Sequence, residues 1–326
     1  MRRPFRIATL SLLFTATALA ADTPATAPAA ATKPYLTVEQ LRAKWGDRRG
    51  RIAVIGGVEV YYKDEGRGPA ILMVHGSQST LKTWDKVAPV LTSRYRVIRY
   101  DIPPQGLSGK VTDEQAAKLV PVDIAEGLLT QLGVKRVTVV GVSSGGTLGV
   151  FLAAKRPDMV ERLIVSNMPS DPVSSGHMTI SPEFLEAQRE AKETGFQNQR
   201  FWNAFLDYFA GDPKRFDAGI REQYYDVNRR APEKHYLALV AQVANQEKAI
   251  AAMNSVTAPT LLIWGARDAL LVPASADRLA SRLTNAQVSK VMLPDVGHYP
   301  PLEAPERFGK LIAAYIEAAT PSGKGD

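Results

Sequence analysis

Apolar residues along this chain fall into two alternating rhythms. Short, mostly apolar runs at 70–74, 97–100, 137–140, 163–166 and 260–264 have the length and composition of strands buried on both faces, and 288–293 reads as the last strand. Between them, residues 122–132 put Ile124, Leu128, Leu129 and Leu132 on one stripe of a helix, and 147–155 predicts a second. Upstream, two alternating segments, 51–55 and 58–62, flank Gly56-Gly57, which is the pattern of a β-hairpin. Residues 37–45 predict a short helix with Thr37 as N-cap and Gln40 at the capping-box position. Buried strands that alternate with helices make an α/β fold, here a mostly parallel central sheet with flanking helices.

One segment leaves this rhythm. From about Asn167 to Ser255 no buried-strand run occurs, and helix formers mix with Phe184, Phe201, Trp202, Phe205, Phe209, Tyr224 and other aromatics. The expectation is a helical cap, residues 167–255, inserted into a core formed by 37–166 and 256–326. An insertion this rich in aromatics is expected to form an apolar lid over the sheet.

The first residues follow neither rhythm. Arg2, Arg3 and Arg6 precede an uncharged apolar run that ends in Ala18-Leu19-Ala20. That is the layout of a secretory signal peptide, residues 1–20, with cleavage after Ala20. The run is too short for a transmembrane helix, which needs about 20 apolar residues. The expected location is therefore periplasmic or secreted, with no stable membrane anchor after the signal is removed. Residues 21–36 follow as a linker rich in Ala, Thr and Pro, with too few large apolar groups to pack.

Composition narrows the chemistry. The 326-residue chain contains no cysteine, which excludes a thiol nucleophile, an iron–sulfur cluster and a cysteine-based zinc site. Its formal charge of +7 falls to about +4 once the signal arginines are gone, and the remaining charge is spread along the chain. The densest basic stretch, Lys44 to Arg51, is broken by Asp47 and lacks interleaved aromatics, so no nucleic-acid partner is expected.

The candidate chemistry starts from serine. Gly141-Val142-Ser143-Ser144-Gly145-Gly146 fits G-x-S-x-G, and the pattern lies directly between a predicted strand and a predicted helix. Such a turn is tight enough that Gly141 and Gly145 cannot easily carry side chains, and it lifts Ser143 to the carboxyl edge of the sheet at a helix N-terminus. A serine hydroxyl needs a base. Of the four histidines, His298 lies just beyond the last strand, where loops at the strand ends converge, and His75 follows the 70–74 strand. His75 fits better as a brace for the loop at Gly76. The third member is expected to be Asp268, directly after the penultimate strand, with Asp171 in reserve. Chain order is then Ser143, Asp268, His298. The backbone amides of Ser77 and Ser144 are the expected oxyanion donors, with Gly76 allowing close backbone approach.

Five ordered motifs carry a family resemblance. They are His75-Gly76; Asp101 with Gly106 and Ser108; the stretch Gly141 to Gly146; Trp264-Gly265 with Asp268 and Pro273; and Gly297-His298 with Glu303 and Pro305. Across residues 51–318 the chain resembles the cap-bearing α/β-hydrolase superfamily of esterases, carbon–carbon-bond hydrolases, perhydrolases and related enzymes. The resemblance implies a serine hydrolase with no metal or organic cofactor and a small ester-like substrate. Ser143 stands where dehalogenases and epoxide hydrolases of this superfamily carry Asp, which sets those chemistries aside. The residues after Asp101 read Ile102-Pro103-Pro104-Gln105, without the Arg-Gly common at that place, and Asp101 itself is read as structural. Carboxylic-ester hydrolysis is the leading expectation. A carbon–carbon-bond hydrolase, perhydrolase, aminopeptidase or lactonase would use the same triad, and a non-catalytic ligand-binding protein is the alternative of another class.

Overall fold

The computed structural model describes residues 34–171 and 177–318. The expected signal peptide and most of the expected linker lie outside the described residues. Eight strands form one sheet in the order β1-β2-β4-β3-β5-β6-β7-β8. Their ranges are β1 Gly50–Ile55, β2 Val58–Glu65, β3 Ala70–Val74, β4 Arg96–Tyr100, β5 Val137–Val142, β6 Val160–Ser166, β7 Thr260–Gly265 and β8 Val288–Leu293. β1 and β2 pair antiparallel through the turn at Gly56 and Gly57, both at positive φ, and β2 pairs antiparallel with β4. From β4 onward every pairing is parallel.

Side-chain alternation explains why the inner strands are apolar throughout. Leu72 and Val74 of β3 join one core cluster, with Ile98, Val139, Leu262 and Trp264. Ile71 and Met73 point to the other face, with Val97, Val140, Ile164 and Ile263. The helices Pro121–Gln131 and Ser144–Lys155 cover the first face, and Pro305–Ala318 the second. β8 differs from the expectation of a buried strand. It sits at the sheet edge, and its burial is partial.

Residues 182–255 carry the helices Pro182–Thr194, Gln199–Phe209, Ala218–Asn228, Tyr236–Val243 and Gln246–Ser255. The aromatics expected to face the sheet as a lid pack mainly on one another instead. Phe184, Phe201, Trp202, Phe205, Phe209 and Tyr224 form a core within these helices. Asn167, read from the sequence as the start of the cap, is fully buried at the carboxyl end of β6.

The helix Val38–Trp45 has the expected capping box between Thr37 and Gln40. The end of the expected linker is not a free tether. Leu36 bridges Arg230, its amide bonds the Arg229 carbonyl at 2.8 Å, and its own carbonyl accepts from Ala231 at 2.8 Å. Among the described residues no helix is long and apolar enough to cross a membrane.

Candidate active site

Ser143 occupies the turn between β5 and the helix Ser144–Lys155 with φ 53 and ψ −128. A non-glycine residue reaches this region only under strain, of order 1–3 kcal/mol, so the surrounding packing must hold it there. The holding is local. A Cβ on Gly141 would lie 2.4 Å from the Gly145 carbonyl oxygen, and one on Gly145 would lie 2.3 Å from the Val74 carbonyl oxygen. Only glycine lets β3, β5 and the helix come this close. The Ser143 amide donates to the Ser166 carbonyl at 2.9 Å, which ties the turn to the end of β6.

His298 and Asp268 meet. His298 Nδ1 lies 2.7 Å from Asp268 Oδ2, and both side chains are buried. Their loops are pinned to each other, because the amides of Ala266 and Arg267 donate to Leu293 and Val296 carbonyls at 2.9 Å each. Asp268 Oδ1 accepts from the amides of Leu270 and Leu271 at 2.8 and 3.0 Å. Oδ2 also accepts from Asn167 Nδ2 at 2.7 Å. A carboxylate so placed only accepts, so His298 Nδ1 carries the proton and Nε2 keeps its lone pair. The His298 amide donates to the Phe209 carbonyl at 2.8 Å, so the cap orients this loop as well. Ser143 Oγ and His298 are not hydrogen-bonded to each other among the described residues. Such pairs commonly close when substrate arrives.

Two positioning residues escaped the sequence reading or were only noted in passing. Asn167, at φ 45, donates to Asp268 and accepts from the Gly265 amide at 3.0 Å, so it fixes the acid to β7. Glu303 is buried and accepts from Gly297 N at 2.9 Å, Gly211 N at 2.8 Å and Asp212 N at 3.3 Å. It therefore joins the loop of His298 to the cap. Burial raises its carboxyl above the usual range, against the pull of those three amides.

The remaining candidates separate cleanly. His75 is wholly buried; Ile102 N donates to its Nε2 at 3.0 Å, and its Nδ1 lies 2.7 Å from the Gly76 carbonyl. Burial lowers its pKa to about 4, so the ring is neutral and braces the loop. Gly76 passes close to Ser143, its Cβ position 3.1 Å from Ser143 Cβ. Asp171, the reserve acid, pairs with Arg278 at 3.2 Å and with Arg282, away from His298. Asp101 accepts from Leu81 N at 2.6 Å and Leu107 N at 2.7 Å and so shapes the loop that carries a cis Pro103–Pro104 bond.

The oxyanion candidates come together. Ser77 Oγ and Ser144 Oγ are 2.9 Å apart. The Ser144 amide opens a helix, where the first N–H groups have no intrahelical acceptor. Cap residues hold the Ser77 loop, with Asn228 Nδ2 donating to the Gln78 carbonyl at 2.9 Å. Beside the two serines runs a constricted cleft of about 20 Å³, walled by Ile102, Pro121, Leu239, Val240 and Val243. A roomier cleft of about 420 Å³ lies against β2, β4 and the helix Ala88–Leu91. It holds none of the candidate groups, and carboxylates match its buried cations: Lys63 pairs with Asp47, and Arg99 with Glu65 and Asp85. Among the described residues no cluster of His, Asp or Glu could hold a metal ion.

A strained serine at a strand–helix turn, with an acid–imidazole pair at the ends of the neighbouring strands, is the plan of one class of protein. Residues 69–305 match the alpha/beta hydrolase fold family, and the chain belongs to it. It is 27% identical over 284 residues to a 2-hydroxymuconate semialdehyde hydrolase of Pseudomonas sp. (strain CF600), covering 83% of this chain and 94% of the relative. It is also 27% identical over 259 residues to a pimeloyl-acyl-carrier-protein methyl ester esterase of Nitrosomonas europaea, covering 76% of this chain and 96% of the relative. Among solved structures it is similar to the meta-cleavage product hydrolase from Pseudomonas fluorescens IP01, with TM-score 0.65 and 21% identity over 83% of this chain and 98% of the other. That likeness extends to the fold.

Proposed function

We propose that this hydrolase cleaves carboxylic esters through Ser143, His298 and Asp268. Ser143 attacks the carbonyl carbon while His298 Nε2 takes its proton. The amides of Ser77 and Ser144 receive the negative charge that develops on the carbonyl oxygen. His298 then gives the proton to the leaving alcohol, an acyl-enzyme remains on Ser143, and water activated by the same imidazole releases the acid. Asp268 holds the productive tautomer throughout. The observation that carries this reading is the Asp268–His298 bond at 2.7 Å, set at the strand ends beside a serine held at φ 53.

Two observations favour esters over substrates that bear a carboxylate. Among the described residues, the cleft beside Ser77 and Ser144 presents no Lys or Arg. The two Nη groups of the buried Arg230 are taken up by the carbonyls of Gly106 and Ser108, at 2.9 and 2.7 Å, and by Glu233, its Nε has no partner among the described residues, and Arg230 does not line the cleft. The relative named for a muconate semialdehyde supports the second reading, carbon–carbon bond hydrolysis by the same three residues. We further infer export to the periplasm or beyond, supported by the arginines and apolar run before Ala20.

The test is hydrolysis of p-nitrophenyl acetate, butyrate and octanoate by residues 21–326, beside Ser143→Ala. Turnover that is lost in the variant is the expected result. A wild-type protein that folds and leaves all three esters intact would overturn the ester reading and favour the carbon–carbon one.

A further inference from the structure

We propose that the constricted cleft beside Ser77 and Ser144 is the acyl pocket, that it admits a short uncharged acyl group, and that Val240 and Val243 set its depth. The proposal rests on Ser143 being the nucleophile of an ester hydrolase.

Proton bookkeeping divides the site into two sides. The leaving alcohol takes its proton from His298, so it departs on the histidine side. The rings next to His298 are Tyr299, with centroids 5.0 Å apart, and Phe209, at 5.9 Å. Phe209 belongs to the cap and Tyr299 packs on its aromatic core, and neither lines the cleft. The carbonyl oxygen must face the Ser77 and Ser144 amides. The cleft is lined by those two residues, and among the described residues neither His298 nor the rings beside it line it. What remains on Ser143 after the alcohol leaves, the acyl group, therefore extends into the cleft.

The walls specify that group. The helix Tyr236–Val243 lines the cleft with positions 236, 239, 240 and 243, the i, i+3, i+4, i+7 stripe of a single face. Ile102, Pro103, Pro104, Gln105 and Pro121 complete a surface without charge, on which Gln105 is polar. A volume of about 20 Å³ is room for about one water molecule. The methyl of an acetyl group takes up about that room, and each further methylene has to displace the helix face. Leu239 is buried in the core, whereas Val240 and Val243 are half-buried, so truncating the valines enlarges the cleft at small cost to folding.

Two substrate series separate the possibilities: p-nitrophenyl esters of growing acyl length, and acetates of growing alcohol length. Wild type is expected to prefer acetate and to fall off as the acyl chain lengthens. In Val240→Ala and Val243→Ala, kcat/KM for hexanoate relative to acetate should rise about tenfold or more, the usual worth of a methylene in an apolar pocket. Val240→Phe should lower butyrate relative to acetate by a similar factor. The alcohol series should keep its order in all three. Thermal melting of each variant checks folding, and three independent substitutions keep the test open if one fails to fold. Wild-type turnover with an unchanged acyl profile in the folded variants overturns the acyl pocket and leaves the ester reading standing. A change confined to the alcohol series assigns the cleft to the leaving group and also overturns it. Absence of ester turnover in wild type removes the underlying reading and the pocket with it.

Discussion

Asn167 and Asp268 show how much a single side chain decides. Asp268 has four hydrogen-bond donors around it, two amides, Asn167 and His298, so it is held in one orientation with its charge satisfied. Asp268→Asn should preserve the fold and lower kcat about 10⁴-fold, because the wrong imidazole tautomer is then favoured. Asn167→Ala removes one bond to a charged group, worth about 1.5–3 kcal/mol. The expected result is a kcat about 10- to 100-fold lower with KM changed much less, read from steady-state kinetics. A second residue-scale prediction concerns His75 and Asp101, which are both fully buried. Burial raises Asp101 from 3.8 to about 6, so the folded state holds a proton that the unfolded state has lost, and this contribution to stability falls as pH rises from about 4 to 6. Burial lowers His75 from 6.5 to about 4, so the unfolded state holds the extra proton, and stability falls as pH drops from about 6.5 to 4. The two slopes oppose each other in nearly the same window. Asp101→Asn should leave a melting temperature that climbs with pH between 4 and 6.5. A variant curve as flat as wild type would contradict the pairing.

At the scale of elements, the segment before the sheet acts on the cap. Asp226, buried on the helix Ala218–Asn228, accepts from Trp45 Nε1 at 2.9 Å and pairs with Lys44 at 2.6 Å and Arg229 at 2.8 Å. Leu36 adds its bridge to Arg230, and Leu41 packs with Tyr61, Leu81 and Leu107. Removing this segment exposes apolar surface worth about 1.5–3 kcal/mol for each buried side chain. A protein of residues 47–326 should therefore melt on the order of 10 °C below one of residues 34–326, by differential scanning calorimetry. Glu303 does the corresponding work on the histidine side, since its carboxylate spans Gly297 and Gly211. Glu303→Ala should lower kcat and slow the reaction of Ser143 with a small fluorophosphonate by a similar factor, because both steps need His298 as base.

For the whole molecule, what was legible and what was not divide along range. Periodicity along the chain located the inner strands because a strand buried on both faces must be apolar regardless of its partners, and alternation located β1 and β2, while the partial burial of the edge strand β8 was not legible. Gly141 and Gly145 marked the serine turn in the same way, since the close approaches they permit lie within the strand–turn–helix unit and beside it. Ser143, Asp268 and His298 were legible from their positions after strands, because parallel strands deliver their following loops to one edge. Asn167, the use of Glu303 as a clamp, and the link from Leu36 and Trp45 to the cap were not legible, since each joins residues whose separation in sequence bears no relation to their meeting in space. The lid is the clearest case. Its aromatics announced an apolar insertion, yet they satisfy one another, and the aliphatic helix Tyr236–Val243 faces the cleft instead. The sequence by itself determined the class of fold, the candidate reactive residues and their order, because backbone preference and burial act locally. Only the tertiary structure decided which partners orient those residues and which helix shapes the cleft, because hydrogen bonds and packing between distant segments depend on where the folded chain places them.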